Sequence, residues 1–159
     1  LFTIQTCAIA PPSISQAIAP NVDTRFFFIS SLQTKTSPVA IVEFKRPKRT
    51  NYPDEENPIN QALRYAGKIL AGKYEMPEGL EEVIVDKSVT PVYIYIVCDI
   101  VPKIKEFADL TGLTISPDKQ GYFGYNPTYN AYIEIKSFKK VIDDAKMRNQ
   151  IFFRKLGLQ

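Results

Sequence analysis

Histidine is absent from this chain of 159 residues, and the absence excludes several classes of active site. Ser-His-Asp triads, His-ligated zinc sites and nucleases with a histidine general base all require an imidazole. Cysteine is scarce: Cys7 and Cys98 have no second pair, which excludes a zinc cluster and argues against a disulfide framework. Any chemistry must therefore use carboxylates, lysines or tyrosines, and a reducing cytoplasm is the expected location.

Long apolar runs are also missing. No stretch approaches the roughly 20 residues that a membrane span requires, so no membrane association is expected. The hydrophobic fraction of 45% and the charged fraction of 23% are typical of a globular chain, and the length predicts one domain over residues 1–159. Because the chain begins with Leu1 instead of Met, we expect it to be part of a longer protein with possible additional domains.

Two apolar runs predict neighbouring strands, and each carries charge at one end. The first run, 22–29, has Asp23 near its start, and the second ends in Glu43, Phe44 and Lys45. Because side chains alternate between the faces of a strand, Glu43 and Lys45 share a face. An unpaired buried charge is costly, so a polar group is expected to meet them. The alternative is that this strand reaches solvent and the two charges attract only each other.

A helix is predicted over residues 58–72. Asn57 can cap it, Pro58 suits the first helical position, and Gly72 can end it. Its apolar stripe consists of Ile59, Leu63, Ala66 and Leu70. A second face, at spacings of three and four residues, carries Gln61, Arg64, Tyr65 and Lys68. The polar groups of this second face are mostly donors, which suit phosphate oxygens.

With these elements in place, the sequence resembles the PD-(D/E)xK nuclease superfamily, also called the restriction endonuclease-like fold. Asp23, then Glu43-Phe44-Lys45, then Gln61 and Tyr65 follow the order Asp, Glu-x-Lys, Gln-x-x-x-Tyr of its RecB-like branch. The resemblance covers residues 22–72 by motif and the remainder by element order only. It implies an α/β fold in which α-helices flank a central mixed β-sheet.

The chain departs from the family pattern in two ways. Val22 stands where the family has proline, and no counterpart is found for an acidic residue that many members supply upstream. Literal Pro-Asp pairs occur at Pro53-Asp54 and Pro117-Asp118, but both follow the Glu-x-Lys motif in loop-like sequence. These two pairs are therefore left out of the predicted site.

The resemblance implies a metal-dependent nuclease, with a site that we expect near the sheet edge. The implied catalytic residues are Asp23, Glu43, Lys45, Gln61 and Tyr65. Asp23 and Glu43, with the backbone carbonyl of Phe44, would hold Mg²⁺, for which Mn²⁺ is a possible substitute. Lys45 would orient or help deprotonate the attacking water and stabilise charge on the phosphorane. Gln61 and Tyr65 would position the nucleic-acid backbone or the metal-bound water.

Basic residues cluster around the predicted site, although the net charge is only +3. The expected nucleic-acid-binding residues are Arg46, Lys48, Arg49, Arg64 and Lys68. Such a cluster can line a phosphate track, and DNA is the expected partner. The alternative is a solvated loop that Asp54, Glu55 and Glu56 partly neutralise.

The rest of the chain predicts several strands and helices but no further site residues. A strand is expected over 89–99, followed by a helix over 102–110 that Asp99 caps, in preference to a hydrogen bond near the site. Residues 121–135 predict a hairpin whose five aromatic side chains pack in the fold instead of stacking on bases. An amphipathic helix is predicted over 138–156, with Val141, Ile142, Ala145, Phe152 and Leu156 near one face.

Two other hypotheses remain open at this point. The chain could be a catalytically inactive nuclease-like domain that binds nucleic acid or regulates a larger protein, since a fold does not fix a function. It could also be an unrelated α/β domain in which Asp23, Glu43 and Lys45 do not converge.

Overall fold

The computed structural model describes residues 5–8, 24–29, 38–73 and 85–157, with backbone only for the first two segments. The strands are β1 (Gln5–Ala8), β2 (Thr24–Ile29), β3 (Val39–Phe44), β4 (Val92–Val97), β5 (Thr114–Ile115), β6 (Gly121–Asn126) and β7 (Ala131–Lys136). The helices are α1 (Pro58–Leu70), α2 (Pro102–Leu110) and α3 (Phe138–Lys155). Short 3₁₀ turns occupy Asp54–Glu56 and Pro127–Tyr129.

The strands form one mixed sheet in the order β1-β2-β3-β4-β7-β6-β5. Strand β4 runs parallel to both of its neighbours, β3 and β7, whereas the pairs towards either edge are antiparallel. The β-branched and aromatic sequence of β4 suits this central place, because such side chains fit a pleated surface. The prediction of an α/β fold with a mixed sheet flanked by helices is confirmed at this level.

One face of the sheet holds the core. Ile41, Ile94 and Ile133 stand side by side on three neighbouring strands, and none is exposed to solvent. The helices α1 and α2 contribute apolar side chains to the same buried cluster, among them Ile59, Ala62, Ala66, Ile104 and Phe107. The β3 strand therefore lies in the interior of the sheet, with α1 packed against it.

Helix α1 begins as the sequence predicts. The Asn57 side chain accepts hydrogen bonds from the backbone N–H groups of Ile59 and Asn60, at 2.9 and 3.3 Å, and Pro58 follows it. The helix ends two residues before Gly72, whose φ of +63° favours glycine. All four residues of the predicted apolar stripe are buried. This cap and stripe fix the position of the first turn of α1 above the sheet.

Helix α2 has the predicted bounds, but Asp99 does not cap it, and that prediction is wrong. The capping position belongs to Val101, which makes no side-chain cap, and the Asp99 side chain accepts a hydrogen bond from the Lys48 backbone N–H at 2.6 Å. A capping side chain normally stands directly before the first helical residue, whereas Asp99 lies two positions earlier than that. A tertiary contact has replaced the local interaction.

The predicted hairpin is present as β6 and β7, and its aromatic residues differ in burial. Tyr122 is buried and Tyr129 packs against the core, as predicted. Phe123 and Tyr125 are instead exposed, the latter by 62%. Core packing therefore accounts for only part of this aromatic group.

Helix α3 has nearly the predicted length, but its apolar face is not buried. No residue of α3 is buried, and Ile142, Phe152 and Leu156 are each more than half exposed, at 52%, 58% and 54%. Val141 and Ala145, on the same predicted face, are partly buried. Within that part, none of the helices is both long and apolar enough to cross a membrane.

Candidate functional site

Glu43 and Lys45 point to the same face of the sheet, as their spacing predicts, and both are buried. The exposed fraction is 0% for Glu43 and 1% for Lys45. The alternation of β3 is complete, since Val39 and Ile41 are buried on that face and the residues between them are only partly buried. The alternative in which this strand end reaches solvent is therefore wrong, and so is the expectation of a site near the sheet edge.

The Lys45 ammonium joins two oxygen groups from two elements. Its Nζ atom lies 2.5 Å from Oε1 of Glu43 and donates a hydrogen bond of 2.8 Å to Oε1 of Gln61. Glu43 comes from β3 and Gln61 from the first turn of α1, which the Asn57 cap holds in place. We name Glu43, Lys45 and Gln61 the buried triad, in which Glu43 and Lys45 are fully buried and Gln61 is partly buried.

The burial of this triad has an energetic consequence. Removing two charges from water costs several kcal/mol per ion, and mutual attraction offsets that cost only when geometry and additional hydrogen bonds are good. The amide oxygen of Gln61 is such an additional partner for Lys45. Replacement of a buried ion pair by apolar side chains of similar volume is often neutral or stabilising, so stability alone does not account for the two charges.

A neighbour of the triad was not predicted from the sequence. Burial, followed by the negative charge of Asp99, raises the pKa of the Cys98 thiol to about 12, with a further rise from Glu43 and an opposing effect of Lys45. Cys98 directly follows β4 and is fully buried. The thiol is therefore neutral at physiological pH and is a packing residue beside the triad, not a nucleophile. Lone cysteines give no sequence signal for such a position.

The loop that follows β3 is fastened at two adjacent residues. Lys48 has a left-handed φ of +62° and donates its backbone N–H to Asp99. Further on, the Arg49 guanidinium pairs with Glu56 and lies 4.5 Å from the centre of the buried Tyr52 ring. Arg49 is thus already engaged within the protein.

The other four predicted cations are exposed to solvent, whereas Tyr65 is not. Arg46 and Lys48 are exposed on the loop after β3, and Arg64 and Lys68 are exposed on α1. Tyr65 is half-buried and packs against the core. These exposed cations lie on the loop after β3 and on α1, the elements that position Lys45 and Gln61.

The first predicted acid, Asp23, lies outside the described residues. The next residue, Thr24, opens β2 and is the register partner of Phe44, between Glu43 and Lys45. Among the side chains of residues 38–73 and 85–157, no group of three or more His, Cys, Asp or Glu residues could hold a metal ion.

The two literal Pro-Asp pairs are used elsewhere. Asp54 forms an ion pair of 2.9 Å with Lys103, and Asp118 forms one of 2.9 Å with Lys140. Both aspartates are therefore engaged with lysines outside the triad.

Comparison with known proteins adds no assignment: no protein-family model, curated protein or solved structure matches this chain. The chemistry of the site therefore has to be argued from its own residues. A buried carboxylate with an ammonium and an amide beside it supplies a hard oxygen ligand, a positive charge and a hydrogen-bonding group.

Proposed function

We propose that this chain is a metal-dependent nuclease that hydrolyses phosphodiester bonds of DNA. The observation that carries the proposal is the buried contact of Lys45 with both Glu43 and Gln61. These three residues come from the Glu-x-Lys and Gln-x-x-x-Tyr patterns, which are 16 residues apart at the Lys45–Gln61 contact. A chance pair of patterns has no reason to meet inside the protein, which supports the proposed PD-(D/E)xK resemblance.

The donor set fits a hard divalent cation in part. Glu43 offers a carboxylate, and the register of Thr24 with Phe44 brings the start of β2 beside it. Asp23 precedes Thr24 in the sequence, so we propose it as the second acidic ligand, with the Phe44 carbonyl as a third oxygen. When bound, Mg²⁺ or Mn²⁺ would polarise a phosphate oxygen and lower the pKa of a bound water.

The remaining roles belong to the chain itself. The Lys45 ammonium would hold the attacking water and stabilise negative charge that develops on the phosphorus-bound oxygens. Gln61 would fix the direction of that ammonium through its amide oxygen, and Tyr65, one turn later on α1, would contact the nucleic-acid backbone. Arg46, Lys48, Arg64 and Lys68 would contact phosphates, as a polyanion requires. We also retain Arg49 as a candidate contact, which would have to exchange Glu56 for phosphate.

The experiment is incubation of the purified protein with labelled single- and double-stranded DNA in the presence of Mn²⁺ or Mg²⁺. We expect degradation that stops when a chelator is added. A matched sample without added metal controls for contaminating metal-independent nucleases. Absence of degradation of both DNA forms under all metal conditions would contradict the proposed activity.

A second candidate is a nuclease-like module that binds nucleic acid without cleaving it. The complete burial of Glu43 and Lys45 favours it, since a substrate phosphate must reach these groups during cleavage. This candidate predicts DNA binding that resists a chelator, with intact DNA after prolonged incubation with Mn²⁺. The same incubation therefore separates the two functions.

A further inference from the structure

We propose that Asp99 is a positioning residue that holds the loop of residues 46–49 in its nucleic-acid-binding conformation. We name residues 46–49 the basic loop, because three of its four residues are Arg46, Lys48 and Arg49. The inference rests on the proposed function, since it assigns a task to Asp99 in the binding of DNA by that same site.

The contact that carries the inference joins two distant parts of the chain. The Lys48 backbone N–H donates to Oδ2 of Asp99 at 2.6 Å, across 51 residues. An ionised acceptor makes such a bond short and strong. Lys48 also has a φ of +62°, a left-handed conformation that is costly for a residue with a β-carbon and that needs support from its surroundings. Part of that support is local, since the Arg49 N–H donates to the Arg46 carbonyl at 3.3 Å across the turn, and the bond to Asp99 adds a tertiary anchor to it.

The sheet brings the two partners together. β3 and β4 are parallel neighbours, and the Lys45 backbone N–H continues their ladder by donating to the Val97 carbonyl at 2.9 Å. Asp99 stands two residues beyond Val97, and the basic loop begins one residue after Lys45. The basic loop therefore leaves the sheet next to Lys45, a member of the buried triad, and opposite Asp99.

The next residue, Arg49, is fastened independently, through Glu56 and the ring of Tyr52. The side chains of Arg46 and Lys48, which lie between the Lys45 ladder bond and Arg49, are exposed. These attachments hold the backbone that carries both cations in one conformation next to Lys45. A phosphate backbone that approaches the triad would meet these cations already ordered, which reduces the entropic cost of binding.

Two accounts of Asp99 predict opposite changes in DNA affinity when its carboxylate is removed. If Asp99 acted only through its charge, its removal would make DNA binding tighter, because a repulsive group would be lost. If Asp99 positions the basic loop, its removal weakens binding although the net charge rises. The two accounts predict changes in opposite directions.

The first measurement is the affinity of the intact protein for a labelled DNA duplex, by fluorescence anisotropy in a chelator so that no cleavage occurs. We expect Asp99→Ala to weaken binding by about three- to tenfold, the order of one or two lost phosphate contacts. Asp99→Asn keeps an acceptor oxygen without the charge and should restore most of the affinity. Glu55→Ala removes another exposed acid of the same region and should leave binding unchanged or slightly tighter.

The second measurement is limited digestion with trypsin, which cleaves after Lys48 and Arg49 and reports on the loop without any reference to DNA. We expect Asp99→Ala to be cut there several times faster than wild type, and Asp99→Asn to be cut at nearly the wild-type rate. Equal cutting of all three proteins would overturn the inference, and so would faster cutting of Asp99→Ala accompanied by tighter DNA binding. Wild-type protein that does not bind DNA would instead overturn the proposed function, while the digestion still decides whether Asp99 holds the loop.

Discussion

The Nζ atom of Lys45 donates a hydrogen bond of 2.8 Å to Oε1 of Gln61, which joins the end of a buried strand to the first turn of the helix that covers it. The same ammonium lies against the Glu43 carboxylate. Each member of the buried triad therefore depends on the others for its geometry. Predictions about stability and about cleavage follow from this dependence.

Lys45→Ala should destabilise the protein strongly. The substitution leaves the Glu43 carboxylate buried without the ammonium, and breaking a buried ion pair on one side costs about 3–5 kcal/mol. Urea unfolding followed by circular dichroism gives the loss directly. At a site near the sheet edge, as expected from the sequence, the same change would leave folding intact.

Two control variants test whether the loss of stability comes from breaking the buried ion pair. Lys139→Ala removes an exposed lysine that pairs with Asp143 one helical turn away, and it should change the unfolding free energy little. The double variant Glu43→Leu/Lys45→Met replaces the pair by apolar groups and should recover much of the lost stability. A Lys45→Ala protein as stable as wild type would contradict the buried geometry.

Gln61→Ala should reduce DNA cleavage more than it reduces DNA binding. The variant removes the Gln61 oxygen that accepts a hydrogen bond from the Lys45 ammonium, so the ammonium is held less firmly in direction. We expect a fall in the cleavage rate of about tenfold or more, the scale on which misplaced catalytic groups act. Single-turnover cleavage, with binding measured separately in chelator, tests this.

The control on the same helix is Asn60→Ala, which alters an exposed side chain next to Gln61. It should cleave DNA at the wild-type rate. Equal cleavage by Gln61→Ala and wild type would remove Gln61 from the site.

Cys98 should be protected from thiol reagents in the folded protein. Burial raises the pKa of its thiol from 9.0 to about 12, so the reactive thiolate is scarce and inaccessible at pH 8. In a Cys7→Ser background, Ellman's reagent should react only after denaturant is added. Rapid labelling of the native protein would show that Cys98 is not in a dry environment beside the triad.

The same thiol predicts a pH dependence of stability with a definite sign. Because the pKa is higher in the folded state, the folded protein holds the proton more tightly, and the stabilisation is complete below pH 9. It is lost as the pH rises towards 12. The unfolding free energy of wild type should therefore fall more steeply over that range than that of Cys98→Ala, since other titrating groups are common to both proteins.

Arg64→Ala and Lys68→Ala should each weaken DNA binding without changing stability. Both side chains are exposed on α1. Each lost phosphate contact should lower the slope of log K against log salt by about 0.9, and the measurement is anisotropy at several salt concentrations. Lys139→Ala serves again as the control, and an unchanged slope in both α1 variants would exclude this helix from the interface.

The parts of the site that follow from periodicity were predictable from the sequence. Alternation along β3 placed Glu43 and Lys45 on one face, and the cap at Asn57 located the turn that carries Gln61. Their burial was not predictable, because it depends on which strands flank β3 and on the helix packed over it. Those are tertiary arrangements that a short charged motif does not encode.

The errors have the same origin. Asp99 stands two positions before Val101, the residue at the cap of α2, and the parallel pairing of β3 and β4 places the Lys48 amide beside it instead. The apolar positions of α3 have helical spacing, yet spacing alone does not specify a surface to pack against. The short strands β1 and β5, of four and two residues, carry too few residues for a periodic signal.

The central claim is that the Lys45 ammonium takes part in metal-dependent cleavage of DNA. The most direct test is single-turnover cleavage in Mn²⁺ by wild type and by Lys45→Met, which keeps an unbranched chain in the same space, after circular dichroism has shown that the variant is folded. The account predicts chelator-sensitive cleavage by wild type and none above background by folded Lys45→Met. Cleavage by that variant at the wild-type rate would contradict it.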